Sequence, residues 1–286
     1  MSMKRLFLFL LLLMFSVNLW SETETETESP RFLLSNKAVS VGIGSQKVHD
    51  SYLSPLLYKG SEFTVMSERL KYFSLRSDNY SWYSELNFQL GLLDNPAQSA
   101  TMIPFVLRYF WGTHYHIRPT QNVNILAGAI VNMDLGGRFL MQNQNNPYSL
   151  DANANLWISA MGYYHLHLWK RTFTFREHFA MPFAGLMFSP NYMQTYYEIF
   201  VLGATENTIR ATSFGNRLAW RNKISVDVPV SFCTFRLGFL AERTVTEVNL
   251  LETRNTNLSF LAGLVYNFST FRGKQPIPAE FHDPTR

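Results

Sequence analysis

Between Ser213 and Val228 the chain reads SFGNRLAWRNKISVDV, an alternation that a helix cannot use. With period two, Phe214, Leu218, Trp220, Ile224, Val226 and Val228 fall on one face. Ser213, Gly215, Arg217, Arg221, Lys223, Ser225 and Asp227 fall on the other, whereas a period of 3.6 scatters the bulky residues around the axis. The segment is expected to be one long strand with a wholly apolar face backing a charged one. Hydrocarbon outside and a polar lumen inside suit such a strand. In lipid the sheet must also close, because an open edge would leave backbone groups unpaired.

The same pattern recurs and predicts ten strands: residues 38–46, 62–73, 80–92, 102–117, 123–134, 155–168, 172–183, 213–228, 232–247 and 257–268. In the first, Val39, Val41 and Ile43 oppose Ser40, Gly42, Gly44 and Gln46; in the third, Leu86, Phe88 and Leu90 oppose Glu85, Asn87 and Gln89. The stretch 62–73 has no clear phase, for which a bulge is the expected cause. Pro104 marks an irregular start to the fourth strand, and Glu177 falls on the outer side of the seventh. An even strand number suits a single-chain antiparallel barrel with both termini on one side. The links support it: 75–79, 118–122, 169–171 and 229–231 are short, 93–101 is intermediate, and 47–60, 133–154 and 187–212 are long and expected to face outward. Tyr80, Trp82, Trp111, Tyr115, Trp169 and Phe268 near strand ends are expected to form interfacial girdles.

The ends bound the compartment. Lys4 and Arg5 precede an apolar run, Leu6 to Val17, and polar residues follow, so 1–21 is expected to be a signal peptide cleaved near Ser21. Residues 22–35, opened by the repeat SETETETESP, read as a disordered acidic leader. The barrel occupies 36–271, and 272–286 is a polar periplasmic tail. Beyond the N-terminus no run approaches the roughly 20 apolar residues of a spanning helix. The single cysteine, Cys233, excludes an internal disulfide. A net charge of +4 without a basic cluster excludes a nucleic-acid partner. The expected place is the bacterial outer membrane, with its lipid as first partner.

A lumen network follows from the inner faces: Arg108, Arg176, Arg217, Arg221, Lys223 and Arg236 against Glu85, Asp227 and Glu242. Side chains largely fill a barrel of this size, so the lumen is expected to be plugged or very narrow. A structural charge network is the plainer reading beside a substrate pathway. His114 and His116 share one inner row and His165 and His167 another. Next-nearest strands lie roughly 9.6 Å apart, close enough for four imidazoles to reach a common metal. The plainer reading places amphipathic rings at a polar rim, and no cofactor is implied. Partial dyads can be drawn between His178 and Thr174 or His165 and Ser159, and Asp134, Asp151 and Glu198 are acids near the rim. No nucleophile-elbow, zinc-protease, Walker or dinucleotide motif accompanies them, so no catalytic residue is assigned. Tyr52, Tyr58, Phe188, Tyr192, Tyr196, Tyr197 and Phe200 make the long links unusually aromatic, as a cap over the mouth or as a surface for an envelope protein or glycan.

Three segments, YLSPLLYKG at 52–60, NNPYS at 145–149 and FSPNYMQTYYEIFVLG at 188–203, resemble motifs of an uncharacterised outer-membrane barrel family of Bacteroidales-type bacteria, domain of unknown function 3316. The resemblance covers about residues 36–271. Met193 stands where that family often carries glycine. It implies an outer-membrane barrel and supplies no activity. The expected function is a non-enzymatic integral barrel with a plugged or narrow charged lumen and an aromatic cap, acting as a binding, scaffold or narrow-passage component. The alternative is an outer-membrane lipid or peptide hydrolase with a rim active site. A soluble exported barrel around a hydrophobic ligand is disfavoured by the outward apolar faces.

Overall fold

The computed structural model describes residues 32–33, 35–74, 77–143, 146–168, 171–230, 233–268, 281–282 and 284–285. The expected signal peptide, most of the leader, residues 272–280 of the tail and Trp169 lie outside them. The elements are β1 (Phe32–Leu33), β2 (Ser35–Asp50), β3 (Ser54–Ser74), β4 (Ser77–Asp94), β5 (Thr101–Thr120), β6 (Val123–Leu140), β7 (Tyr148–Leu168), β8 (Arg171–Phe188), the one-turn helix α1 (Tyr196–Phe200), β9 (Ile209–Ser213), β10 (Arg217–Pro229), β11 (Thr234–Val248), β12 (Leu251–Phe268) and β13 (Phe281–His282).

Consecutive strands from β2 to β8 pair antiparallel; β8 pairs with β10, β10 with β11 and β11 with β12. β12 returns to β2, from Thr253↔Asp50 to Phe268↔Ser35, and closes the ring. The wall therefore has ten strands, because β9 only continues the β10 position alongside β8 after the turn 214–216. Closure leaves no lipid-exposed edge. The opening stretch is thus not one strand: Phe214, Gly215 and Asn216 interrupt it, with Asn216 N–H donating to the Ser213 carbonyl. From Arg217 onward it alternates as expected. Ile224 is 56% exposed on the outside, while Lys223 is 2% exposed within.

The outside is apolar on every wall, with Val41, Ile43, Leu90, Phe105, Ile158, Phe179, Leu237 and Leu258 all exposed. Near the short-turn end Tyr80 and Tyr115 pack edge to face at 5.2 Å, and Trp82 stacks on Trp111 at 4.7 Å. An apolar exterior around polar inner rows is the inverse of a soluble barrel. Among the described residues no helix is long and apolar enough to cross a membrane.

Several boundaries differ from expectation. The link 47–60 shrinks to 51–53, 133–154 to 141–147 and 187–212 to 189–208, because the strands run on past the recognisable pattern: in β2 the outward Ser45 and Lys47 are polar, and in β6 Gly136 and Gly137 interrupt the alternation. β3 has no bulge across 62–72; its register with β4 shifts only between Tyr72 and Ser74. Its phase is hidden because Met66, Leu70 and Tyr72 point inward beside Glu62 and Glu68. Pro104 is absorbed without breaking β5: the β4 ladder skips from Leu90↔Phe105 to Leu93↔Met102, so a residue without an N–H costs no bond there. The end of the expected leader is ordered, Phe32 and Leu33 pairing in parallel with Phe281 and His282. The acidic repeat ends before these apolar residues.

Glu177 does project from the outer wall, where Asn222 Nδ2 donates to its Oε1 at 3.2 Å. A carboxylate facing hydrocarbon is destabilising. Replacing the pair together, Glu177→Leu with Asn222→Leu, is expected to stabilise the lipid-embedded barrel by about 1 kcal/mol. The readout is the denaturant midpoint for unfolding from vesicles. A lowered midpoint would count against a lipid-facing placement of the pair.

Candidate functional site

The inner rows converge on two carboxylates. Glu68 on β3 accepts hydrogen bonds from Arg176 on β8, Lys223 on β10 and Arg236 on β11. Glu85 on β4 accepts from Lys223 Nζ at 2.8 Å and Arg221 Nη2 at 2.5 Å. Around the ring β3 and β8 are five strands apart, as are β4 and β10, so these contacts cross the full width of the lumen. Arg236 also grips Asp227 with both arms of its fork, at 2.6 and 2.7 Å. Arg221 Nε donates to Glu242 at 2.7 Å, and the other Glu242 oxygen accepts from Arg108 at 2.6 Å and Gln89 at 2.8 Å. Bidentate guanidinium–carboxylate pairs of this kind fix geometry as well as charge.

All nine expected lumen residues, Glu85, Arg108, Arg176, Arg217, Arg221, Lys223, Asp227, Arg236 and Glu242, point inward. Eight are drawn into the close-contact network, and Arg217 sits above it at the mouth. Sequence reasoning missed Glu68, the acid that takes the most cations. It also missed Asp50 and Arg138, which it had placed in loops. Arg138 lies between Asp50 and Asp151, at 3.1 and 2.8 Å. Nor is the lumen charged throughout: Phe110, Leu126, Ile130, Trp157, Met161 and Tyr163 form a buried cluster along one wall. It meets the ions through cation–π contacts, Arg221 lying 4.9 Å from the Phe110 ring centroid and Arg176 5.5 Å from Tyr163.

The four candidate metal-ligating histidines are not brought together, and among the described residues no cluster suits a metal. His116 contacts Asn124 at 3.1 Å, and His167 is exposed beside Thr172. His165 bonds Thr174 at 3.0 Å and the Thr285 carbonyl at 2.8 Å. The register places His114 beside Gly128 and His165 opposite Thr174, too far along the barrel to share a ligand. The contact with His165 places Thr285, within the expected polar tail, buried against an inner row. His114 instead shares Ser159 with His178, at 2.8 and 2.9 Å, and Tyr83 packs edge-on against both rings. The expected dyads therefore do not form as drawn: Ser159 pairs with His114 and His178 rather than with His165.

At the long-loop end Tyr196 organises the cap. Its ring stacks on Tyr148 at 4.6 Å, Phe200 at 6.0 Å and Phe188 at 6.3 Å, and Tyr52 meets it edge-on at 5.5 Å. Its hydroxyl accepts from Leu150 N–H at 2.6 Å, and burial pushes the phenol up to about 12. Thr195 starts α1 through a capping box: its amide donates to Glu198 at 2.7 Å, which holds that carboxylate below its usual range, and Glu198 N–H donates back to Thr195 Oγ1. Asn249 Nδ2, on the β11–β12 hairpin, donates to the carbonyls of Ser189, Pro190 and Asn207. Of the expected cap residues, Tyr52, Phe188, Tyr196 and Phe200 come together. Tyr58 is buried below them with Val48, Leu93 and Met102, while Tyr192 and Tyr197 stay exposed. Of the expected rim acids, Glu198 is consumed by the capping box. Asp151 pairs with Arg138, and Asp134 lies 3.7 Å from Arg108.

Under the cap lies a mouth cavity that is continuous with solvent. Asp50, Asp134, Asp151, Arg108, Arg138 and Arg217 form its charged lining, and Ser149, Thr244, Thr246, Thr253 and Asn255 add polar groups.

A family model described as "Protein of unknown function (DUF3316)" matches residues 6–275. No curated protein matches the chain. Among solved structures it is similar to the outer membrane protease OmpT from Escherichia coli, at 10% identity and a TM-score of 0.54, covering 86% of this chain and 100% of that one. It is also similar to the translocator domain of the autotransporter NalP from Neisseria meningitidis, at 10% identity and 0.41 over 88% and 92% of the two chains. Neisserial surface protein A matches at 9% identity and 0.32 over 81% and 96%. At 10% identity the likeness to OmpT is one of fold: the barrel is of the type found in bacterial outer-membrane proteins.

Proposed function

The chain belongs to the DUF3316 family, and from that premise we propose that it is a non-enzymatic integral outer-membrane protein, exported by residues 1–21, whose lumen is plugged and whose working surface is the capped mouth. The observation that carries this reading is the set of contacts from Glu68 to Arg176 and from Glu85 to Arg221 and Lys223, which join opposite walls through the middle of the barrel. Ion pairs spanning a narrow lumen oppose passage of solutes and hold the walls at fixed separation. The long-loop end, with α1 and the Tyr196 stack, faces outward; the short turns and both termini face the periplasm. Such a barrel acts as a binding or scaffold component rather than a pore.

Single-channel recording of the refolded full chain in planar bilayers tests the plug. Insertion without conductance is the expected result. Discrete steps altered by Arg221→Gln would mean an open, charge-lined passage and overturn it. The hydrolase alternative needs an acid or base free to act at the rim, whereas Asp151 accepts from Arg138 at 2.8 Å and Asp134 accepts from Asn132 at 2.7 Å. Cleavage of peptide or lipid that depends on either residue would favour that alternative.

A further inference from the structure

We infer that the mouth cavity is a binding site for a sugar acid, with Arg217 receiving the carboxylate. Arg217 stands at the entry end of β10, is 6% exposed and lines the cavity, yet its charge is poorly met. Its closest carboxylate oxygen, on Asp134, is 3.9 Å away; Asn153 Oδ1 is 3.4 Å from Nη2, and Nε has no partner. Its neighbours Arg108 and Arg138 have carboxylate oxygens at 2.6 and 2.8 Å. A buried guanidinium left short of hydrogen bonds is costly unless a ligand completes it, and a planar carboxylate matches its fork.

The rest of the lining narrows the class. Asp134 and Asp151 share the cavity, so a dianion such as phosphate meets repulsion that a single carboxylate tolerates better. The hydroxyls of Thr244 and Thr246 and the amide of Asn255 suit a ligand rich in hydroxyl groups. Phe188, whose ring stacks on Tyr196 and Phe200, adds apolar lining.

This inference rests on the binding reading proposed above, but the two fail separately: conductance reports on the lumen below, titration on the mouth. Calorimetric titration of the folded chain in detergent micelles, with glucuronate, glucose and inorganic phosphate as probes, is the test. Glucuronate is expected to bind at least about tenfold more tightly than either other probe, and Arg217→Gln is expected to weaken it about 10- to 100-fold, the loss of one charge-assisted hydrogen-bonding pair. Should Arg217→Gln fail to fold, the order of the three probes on the unaltered chain decides alone. Equal binding of glucose and glucuronate, tighter binding of phosphate, or no heat from glucuronate at about 10 mM would each overturn the inference. A short oligogalacturonate binding more tightly than its monomer would identify the end of an acidic glycan as the source; equal binding would identify free sugar acids.

Discussion

Replacing Glu68 with glutamine is expected to destabilise the folded barrel by about 3–5 kcal/mol, the range found when one partner of a buried ion pair is removed. The carboxylate is buried and receives Arg176, Lys223 and Arg236 at once, and only Arg236 has a second full carboxylate, Asp227, to itself. Glutamine keeps the size and an acceptor oxygen but leaves cations facing one another in the lumen. Thermal and denaturant unfolding in detergent read the loss, and a difference in gel mobility between unheated and heated samples confirms that the variant closes. Adding Lys223→Met removes one of the stranded charges and is expected to recover part of the stability, because a hydrophobic replacement of a buried ion often costs little. A loss below about 1 kcal/mol for Glu68→Gln, the value typical of solvated surface pairs, would mean that water screens the network. The lumen would then be wet rather than plugged.

Tyr196→Ala is expected to release the cap without unfolding the barrel. The substitution removes a buried ring that contacts Tyr52, Tyr148, Phe188 and Phe200, and large-to-small aromatic replacements cost about 3–5 kcal/mol. Here the cost falls on the segment 189–208, so protease cleavage within it is expected to accelerate about 100-fold. The global unfolding midpoint is expected to hold nearly constant, since β8 pairs with β9 directly below the loop and with β10 further down the wall. Tyr196→Phe keeps the stacking and loses only the acceptor for Leu150 N–H, for which about 1 kcal/mol is expected. Similar protease resistance in the alanine variant and the parent would show that Asn249 and the Thr195–Glu198 capping box hold the loop without the ring.

The barrel was legible because lipid leaves no freedom on the outer face: Leu218, Trp220 and Ile224 had to alternate with Arg217, Arg221 and Lys223. The inner face is under weaker constraint. A narrow lumen accepts Tyr83, Phe110 and Trp157 as readily as Glu85, so the phase of β3 vanished and Glu68 went with it. Above the belt the outward Ser45 and Lys47 are polar, which turned the end of β2 into an apparent loop and concealed Asp50, while Gly136 and Gly137 interrupt the alternation of β6 between the outward Leu135 and Phe139 and so concealed Arg138. The histidines failed differently. A repeat of H-x-H fixes which face the rings share but says nothing of height along the barrel, and height is set by cross-strand register. The aromatic segments were recognisable by composition, but the central place of Tyr196 depends on Tyr148, Phe188 and Phe200 arriving from different parts of the chain.

The lumen charges are divided along the chain as well as across the ring. On β2 to β6 the inner carboxylates Asp50, Glu62, Glu68, Glu85 and Asp134 outnumber Arg108 and Arg138, whereas on β7 to β11 Arg176, Arg217, Arg221, Lys223 and Arg236 outnumber Asp151, Asp227 and Glu242. Before closure the open sheet would thus carry a predominantly negative leading half and a predominantly positive trailing half on the same face. Attraction between them favours curling toward that face. The ion pairs would then guide assembly, selecting which side becomes the interior and bringing β12 to β2 before lipid has sorted the outer residues.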